Sequence, residues 1–308
     1  MKNEKSVKKA QIIHNLMAGN AEHKKDDLIA KVEDVAGEVH YLSTDNPRWS
    51  DFTENSPDVI FLGGGDGTVH KLAEVLLRDN TMKQRTPVCL LPLGTANNIA
   101  KTLEIPKGME SISQKSFNQY ERFDIGRIRI SGKEHFFLEA AGFGIFPRLV
   151  SEMDKKDDDS DTAAEELERS METLLQVITD YKAQPADILA DDKHISGSFL
   201  LVELMNIKYI GPNFEIAPEA DISDGHLDLV LVRKENRFQL LEYVKALVEN
   251  KKSNNEFSAF AESYKVKNVR MSWGGKDIHV DDEPVPNYKG ENLQAEVEPD
   301  ALRFVESS

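Results

Sequence analysis

The sequence feature that most constrains the fold is a glycine-rich stretch between a predicted strand and a predicted helix. The apolar run Val59–Leu62 has the composition of a strand buried on both faces. Three glycines, an aspartate, a fourth glycine and a threonine follow at 63–68, and apolar residues then recur at three- and four-residue steps over 69–77. Glycines at such a turn let the backbone approach a ligand closely, and the first N–H groups of the helix can bind phosphate oxygens. The alternative is a tight turn that binds nothing.

A second stretch of the chain has the same plan. Val88–Pro92 has the composition of another buried strand, and a predicted helix begins at Ile99. Ligands of open α/β sheets bind outside the carboxyl ends of the strands. We therefore expect the two turns to face one crevice. Between the second strand and its helix lie a glycine, a hydroxyl and two amides: Gly94, Thr95, Asn97 and Asn98.

Composition limits the class of protein. A chain of 308 residues that is 40% hydrophobic and 30% charged is long enough for two globular domains. No run of roughly eighteen apolar residues is present, so we expect no membrane span. The single cysteine, Cys89, lies in a predicted buried strand, which argues against a disulfide framework and favours the cytoplasm. The net charge of −16 argues against nucleic acid as a partner, because phosphate backbones attract basic surfaces.

Four motifs together resemble a known family. Gly-Gly-Asp-Gly-Thr at 64–68 and Pro-x-Gly-Thr-x-Asn at 92–97 are similar to the diacylglycerol kinase catalytic domain, a family of soluble bacterial lipid kinases related to sphingosine and ceramide kinases. NAD kinases and phosphofructokinases carry a turn similar to the first. Ala-Pro-x-Ala with Asp-Gly-x-Leu-Asp follows at 217–228. Val-Asp-x-Glu stands at 280–283, where Asp282 replaces the glycine of the family.

The resemblance implies a fold of two domains. The first is an α/β domain with a doubly wound parallel sheet, like that of NAD kinases and phosphofructokinases, and binds the nucleotide. It is expected over 1–125 plus 298–308, because the last strand of this family returns to the first domain. The second, over 126–297, is expected to be an antiparallel β-sandwich with helices that binds the lipid substrate. Apolar and polar residues alternate over Arg127–Ile130, which is typical of a half-exposed antiparallel strand.

The resemblance also assigns roles to individual residues, with ATP and Mg²⁺ as the expected cofactors. Glu283 is expected to accept the proton of the lipid hydroxyl. Asp66, at a strand end, is the residue expected to hold Mg²⁺, directly or through water. The residues expected to bind the nucleotide are Asn15, Gly19, Thr44, Gly64, Gly65, Asp66, Gly67, Thr68, Gly94, Thr95 and Asn97.

A further acidic stretch offers oxygen ligands in the second half of the chain. Asp221, Asp224 and the backbone carbonyl of His226 could gather around Mg²⁺. The alternative is an Asp-Gly turn whose carboxylate bonds its own backbone. The acidic run 154–161 lacks the spacing of a metal loop and is typical of a solvated loop.

The resulting expectation is an ATP- and Mg²⁺-dependent lipid kinase that transfers the γ-phosphate to a lipid hydroxyl, with diacylglycerol as the default acceptor. We expect it in the cytoplasm, peripheral at the inner membrane face when it meets its lipid, and a homodimer is one assembly that this interpretation allows. Asn98 and Lys101 stand where the family has aspartate and arginine. Two alternatives therefore stay open: a nucleotide- or lipid-binding protein with weak or no kinase activity, and a kinase acting on a sphingoid or soluble acceptor.

Overall fold

The structure is a computed structural model, and the chain in it divides into two compact units. The first unit is Met1–Asp124 with Pro299–Ser308, and the second is Ile125–Glu298. Within the described residues, every helix is too short or too polar to cross a bilayer. The structure describes residues 5–19, 24–51, 56–78, 86–109, 112, 116–153, 163–211, 213–249, 256–290 and 292–306. The acidic run 154–161 lies outside these ranges.

The first unit is built on a parallel sheet, as the sequence predicts. The strand order is β2-β1-β3-β4 followed by the last strand of the chain, and each neighbouring pair runs parallel. All carboxyl ends of these strands therefore lie at one edge of the sheet. The elements are β1 (Val7–His14), α1 (Lys25–Val35), β2 (Ala36–Ser43), β3 (Val59–Gly64), α2 (Asp66–Arg78), β4 (Val88–Pro92), α3 (Asn98–Thr102) and the start of β5 (Tyr120–Ile130).

The core of the first unit explains why the predicted strands are continuous apolar runs. Every residue of β3 and β4 is buried, because helices and loops cover both faces of a parallel sheet. Leu28 and Val32 of α1 pack into the same cluster as Ile12 and Phe61 of the sheet. Burying each such side chain stabilises the fold by about 1.5–3 kcal/mol.

The second unit is an antiparallel β-sandwich with helices, as expected. In its sheet β16, β15, β7, β9, β8, β14 and β17 follow one another, and β12 joins β9 to β13. Its elements are β6 (Lys133–Phe137), β7 (Ala140–Gly144), α4 (Ile145–Met153), α5 (Ala163–Asp180), β8 (Gln184–Ala190), β9 (Lys193–Met205), β10 (Tyr209–Ile210), β11 (Phe214–Glu215), β12 (Leu227–Arg233), α6 (Arg237–Val248), β13 (Glu262–Val266), β14 (Asn268–Trp273), β15 (Ile278–Val280), β16 (Glu283–Pro284) and β17 (Leu293–Val305).

Strand β9 is the centre of the second unit, since it pairs with β7, β8 and β12. Its side chains alternate between two cores. Val202 and Leu204 belong to the core within the sheet layers, whereas Leu201 and Met205 belong to the core that contains residues of α4, α5 and α6. Glu203 lies between these apolar neighbours and is completely buried. A buried carboxylate in such a strand requires a partner.

Candidate functional site

The first glycine turn joins β3 directly to α2. Helix α2 begins at Asp66, and the backbone N–H groups of Thr68 and Val69 donate to the carbonyl of Gly65 at 2.9 and 3.1 Å. A Cβ on Gly64 would lie 2.5 Å from the Cβ of Thr68, so a side chain there would displace the threonine. The turn thus places the N-terminus of a 13-residue helix, which is the positive end of the helix dipole, at the carboxyl end of a strand.

The second glycine turn, between β4 and α3, packs directly against the first. The N–H of Leu93 donates to the carbonyl of Gly64 at 3.0 Å. A Cβ on Gly94 would lie 2.6 Å from the Cα of Gly65, and a Cβ on Gly65 would lie 3.1 Å from the Cα of Gly94. The two turns therefore touch backbone to backbone, and glycine at both positions allows this approach. They lie side by side at the carboxyl edge of the sheet.

Asp66 links the two turns. Its carboxylate oxygens accept the backbone N–H groups of Asn98 at 2.9 Å and Ile99 at 3.1 Å, at the start of α3. Asn97, in the left-handed region with φ 52°, closes the same turn by accepting the N–H of Gly94 at 3.0 Å and donating to its carbonyl at 2.6 Å. These contacts make Asp66 an organiser of the second turn. The Mg²⁺ role expected of it stays a prediction.

The turns after β1 and β2 reach the same edge. Asn15 donates from Nδ2 to Oγ1 of Thr68 at 3.1 Å. The N–H of Thr44 donates to the carbonyl of His14 at 3.0 Å, which holds the end of β2 beside the end of β1. Gly19 has φ 60°, a conformation that favours glycine, and packs against the backbone of the second glycine turn.

A cavity of about 230 Å³ lies where these turns meet. A volume below the 300–1,000 Å³ of a typical ligand pocket fits part of a ligand, such as a chain of phosphates. Its lining contains six of the residues expected to bind nucleotide and two others: Asn15, Ala18, Thr44, Gly65, Gly67, Thr68, Lys71 and Gly94. The other expected contacts belong to the same turns without lining the cavity: Gly19, Gly64, Asp66, Thr95 and Asn97.

Among the residues that the structure describes, Lys71 is the one charged residue in the lining of this cavity, and the sequence analysis did not single it out. Its side chain makes no hydrogen bond or ion pair with any residue in the part of the chain that the structure describes. A signal was available, because Gly67 and Lys71 are four residues apart and therefore share one face of α2. The cavity thus combines a helix N-terminus, three hydroxyl or amide side chains and one ammonium group.

The stretch that could hold Mg²⁺ in the second unit makes the contacts of an Asp-Gly turn. Asp221 accepts the N–H of Ser223 at 2.9 Å, and Asp224 accepts the N–H of His226 at 2.9 Å. The other oxygen of Asp224 accepts a hydrogen bond from the ammonium of Lys265. No group of three histidine, cysteine, aspartate or glutamate side chains among the described residues is placed to hold a metal ion. Asp221 and Asp224 therefore make the contacts of a turn, and a metal role for these two carboxylates with the backbone carbonyl of His226 stays a prediction.

Asp228 and Lys265 are cross-strand neighbours in β12 and β13, with the Nζ and Oδ2 atoms 3.8 Å apart. Burial raises the pKa of the Asp228 carboxyl despite the opposing effect of Lys265. The pKa of Asp224 is lowered, because the hydrogen bond and charge of Lys265 outweigh partial burial. The ammonium group of Lys265 thus lies beside the carboxylates of Asp224 and Asp228.

Glu283 opens β16, directly after a tight turn. Asp281 has φ 48°, and its carboxylate accepts the N–H groups of Leu138, Glu139 and Ala140 at 2.8–3.2 Å. This turn is therefore bound to the connection between β6 and β7. The side chain of Glu283 is exposed and forms no hydrogen bond or ion pair with a described residue.

His135 of β6 lies close enough to Glu283 for the carboxylate charge to affect the pKa of His135. The sequence analysis did not single out this histidine. Burial and the nearby Lys133 lower the pKa of His135, and Glu283 opposes them. The imidazole is therefore neutral at pH 7. Glu283 is exposed and lies beside a neutral ring, so its carboxylate is available to a ligand.

Both halves of the chain match known family models. The model described as the diacylglycerol kinase catalytic domain matches residues 9–128. The model described as the YegS C-terminal NAD kinase beta sandwich-like domain matches residues 152–306.

Individual relatives agree with these matches. A Pseudomonas savastanoi pv. phaseolicola protein named "Probable lipid kinase YegS-like" is 27% identical over 250 residues, covering 79% of this chain and 74% of that protein. The Bacillus subtilis protein named "Diacylglycerol kinase" is 22% identical over 270 residues, covering 85% and 86%. The crystal structure of a Bacillus anthracis str. Sterne protein described as a diacylglycerol kinase has the same fold, with a TM-score of 0.69 and 18% identity over 98% of both chains. The chain belongs to the diacylglycerol kinase catalytic domain family, with the YegS type of C-terminal domain.

Proposed function

We propose that this chain is an ATP-dependent kinase that transfers the γ-phosphate to a lipid hydroxyl, with diacylglycerol as the first acceptor to test. The observation that carries the proposal is the meeting of the two glycine turns at a cavity that the ammonium-bearing Lys71 lines. Family membership supports the class of reaction. The lipid would be met at a membrane surface, and we propose the inner face of the cytoplasmic membrane.

On the nucleotide side, phosphoryl transfer requires neutralised phosphate charge and fixed geometry. Lys71 and the N-terminus of α2 would supply positive charge to the phosphates. Asp66 and Asn97 would hold the second turn in place by their hydrogen bonds to backbone. Mg²⁺ in such enzymes is held largely by the phosphates and water. The described residues present no dedicated group for it, so we assign this chain no step that depends on the metal.

On the acceptor side, Glu283 would take the proton of the lipid hydroxyl as the hydroxyl oxygen attacks the γ-phosphorus. An exposed carboxylate that has no partner among the described residues can accept that proton, and Asp281 fixes the turn from which it projects. His135 beside it is neutral at pH 7 and therefore does not neutralise the base through an ion pair.

The direct test offers labelled ATP and Mg²⁺ to the purified chain with mixed micelles of diacylglycerol, sphingoid base or no lipid. Label in an organic-extractable product supports the proposal, and the lipid that carries it identifies the acceptor. Label on a soluble dinucleotide would instead indicate an activity like that of NAD kinases. Nucleotide binding without transfer would favour the non-catalytic alternative, which Asn98 and Lys101 suggest.

Glu283→Gln tests whether the carboxylate of Glu283 acts as the base. We expect it to abolish lipid phosphorylation while ATP affinity stays within about threefold, because a base acts in the transition state and leaves ground-state binding unchanged. Asp282→Asn is the matched control, since it removes the same charge from the neighbouring residue and should keep turnover. Unchanged turnover in Glu283→Gln would remove Glu283 from its role.

Lys71→Met tests the nucleotide side. Losing a charged hydrogen bond to phosphate costs about 1.5–3 kcal/mol, so the KM for ATP should rise about tenfold or more. Lys107→Met, which removes an exposed lysine of the same unit outside the cavity, should leave that KM unchanged. Equal values for both variants would contradict the placement of phosphates in the cavity.

A further inference from the structure

A buried acid and a buried histidine meet across an intervening strand in the second unit. Glu203 of β9 pairs in register with Gly142 of β7, and Gly142 pairs in register with His279 of β15. The exposed fractions of Glu203 and His279 are 0% and 3%. Nε2 of His279 lies 3.0 Å from Oε2 of Glu203. A Cβ on Gly142 would overlap the carboxylate of Glu203, so glycine leaves the space in which the two side chains meet.

The other ring nitrogen of His279 holds the turn before Glu283. Nδ1 lies 2.6 Å from the backbone carbonyl of Asp281, and a carbonyl only accepts, so Nδ1 carries a hydrogen and donates it. One proton then lies between Nε2 and the carboxylate of Glu203, whichever of the two holds it. The hairpin partners of His279 and Val280 are Pro284 and Glu283. The buried pair is thus connected, through one backbone carbonyl, to the residue proposed as the base.

Packing alone does not explain this pair. The neighbours of Glu203 on the same face of β9 are Leu201 and Met205, both completely buried. A leucine at 203 would avoid the cost of removing a carboxylate from water, which is several kcal/mol. A non-glycine residue at Asp281 with φ 48° is also conformationally costly, by about 1–3 kcal/mol. Asp281 is part of the turn that carries Glu283, and Glu203 is connected to that turn by two hydrogen bonds through His279.

We propose that Glu203 and His279 are positioning residues that hold the Asp281–Glu283 turn in the conformation required for proton transfer from the acceptor hydroxyl. This inference rests on the proposed function of Glu283. It predicts that the pair affects turnover and leaves nucleotide binding unchanged.

The electrostatic surroundings fix how the pair responds to pH. Burial alone would lower the pKa of His279, but Glu203 and Asp281 together raise it to about 9. Burial raises the pKa of Glu203, and His279 opposes this. The pair therefore keeps its shared proton through neutral pH and loses it in the alkaline range. The ionisable groups on His279's hairpin and on β6 and α4, which pack against it, are Asp281, Asp282, Glu283, Lys133, Glu134, His135, Arg148 and Glu152, and Glu203 faces it from β9.

The experiment compares Glu203→Gln with wild type in the lipid phosphorylation assay across pH 6–10. Glutamine keeps the shape of glutamate, and a displacement of the base of even about 1 Å can cost 100-fold in rate. We expect kcat to fall at least tenfold, with the KM for ATP within about twofold. Without Glu203 the pKa of His279 falls, so the alkaline limb of the kcat profile should move to lower pH. His194→Gln is the matched control, because His194 and Asp187 form an exposed pair at the same 3.0 Å distance.

A second measurement covers the case in which Glu203→Gln does not fold. The ring nitrogens of His279 are followed by NMR in the labelled wild-type protein, and deprotonation should coincide with the alkaline limb of wild-type kcat. Separate midpoints, or an unchanged kcat and profile in a folded Glu203→Gln, would overturn the positioning role. A wild-type protein without lipid phosphorylation would refute the proposed function instead. The two failures are therefore distinguishable.

Discussion

The contact between the two glycine turns can be tested with a pair of glycine-to-alanine substitutions. In Gly94→Ala the new Cβ would lie 2.6 Å from the Cα of Gly65 and 2.9 Å from Oδ1 of Asn97. Carbon atoms in ordinary contact are about 3.5–4.0 Å apart, so the turns would have to separate by about 1 Å. Gly67→Ala is the matched control, since a Cβ there meets nothing within 4 Å and its φ is not positive.

The two substitutions should change the free energy of unfolding in opposite directions. Overpacking of this kind costs about 1–3 kcal/mol, and the hydrogen bonds of Asn97 to Gly94 would be strained as well. In the first turn of α2, by contrast, alanine for Gly67 should stabilise by about 0.4–1 kcal/mol through reduced entropy of the unfolded chain. At roughly 2–4 °C per kcal/mol, Gly94→Ala should lower the Tm of the first unit by about 2–12 °C, and Gly67→Ala should raise it by about 1–4 °C.

Calorimetry of both variants and the wild type, with and without ATP, measures these shifts. ATP should raise the Tm of the wild type through binding to the folded state, and it should raise the Tm of Gly94→Ala less. A Gly94→Ala protein with a Tm within about 1 °C of wild type, and with the full ATP shift, would refute the close contact of the two turns.

Three further predictions concern charged groups. Asp66→Asn should destabilise the first unit by about 1.5–3 kcal/mol, because an amide cannot accept both N–H groups of Asn98 and Ile99; chemical denaturation checks this, and an unchanged midpoint would contradict it. The free energy of unfolding of the second unit should fall with rising pH, because the stabilisation from protonated His279 is complete below its ordinary pKa of 6.5 and is lost as the pH passes about 9. Thermal melts from pH 6 to 10 measure this fall, and a Tm that does not change with pH would contradict it. In Lys265→Met, millimolar Ca²⁺ or Mg²⁺ should raise the Tm, because Asp224 and Asp228 then lack the ammonium group beside them. The same ions should leave the Tm of the wild type unchanged, and a variant whose Tm does not respond would show that a metal ion does not take the place of the ammonium group.

The parts of the fold that the sequence predicts are those decided by local composition. Val59–Leu62 is apolar at every position because both faces of β3 are covered, so the strand is recognisable without its neighbours. The glycines at 63–67 mark its end, since they precede helical spacing. The alternation over Arg127–Ile130 likewise shows a half-exposed antiparallel strand, and β5 has that pattern there.

The parts that could not be predicted depend on partners distant in the sequence. An aspartate at the start of a helix suits a metal ion or a backbone N–H equally well, and the packing of the second turn provides Asp66 with N–H groups. The ammonium of Lys265 reaches Asp224 because β13 pairs with β12, and nothing local shows that pairing. Glu203 did carry a signal, a single acid within the apolar run of β9, but its partner His279 is found only in the assembled sheet.

The order of the strands has a consequence for how the protein is made. Strand β4 carries Val88, whose neighbour in the sheet is Phe304 of β17, at the far end of the chain. During synthesis the apolar edge of β4 that pairs with β17 has no partner strand until all of the intervening second unit has left the ribosome. Such non-local parallel pairing is slow and leaves an open sheet edge that other chains can join. Chaperone dependence and aggregation of nascent chains should therefore originate at this edge, long before any nucleotide can be bound.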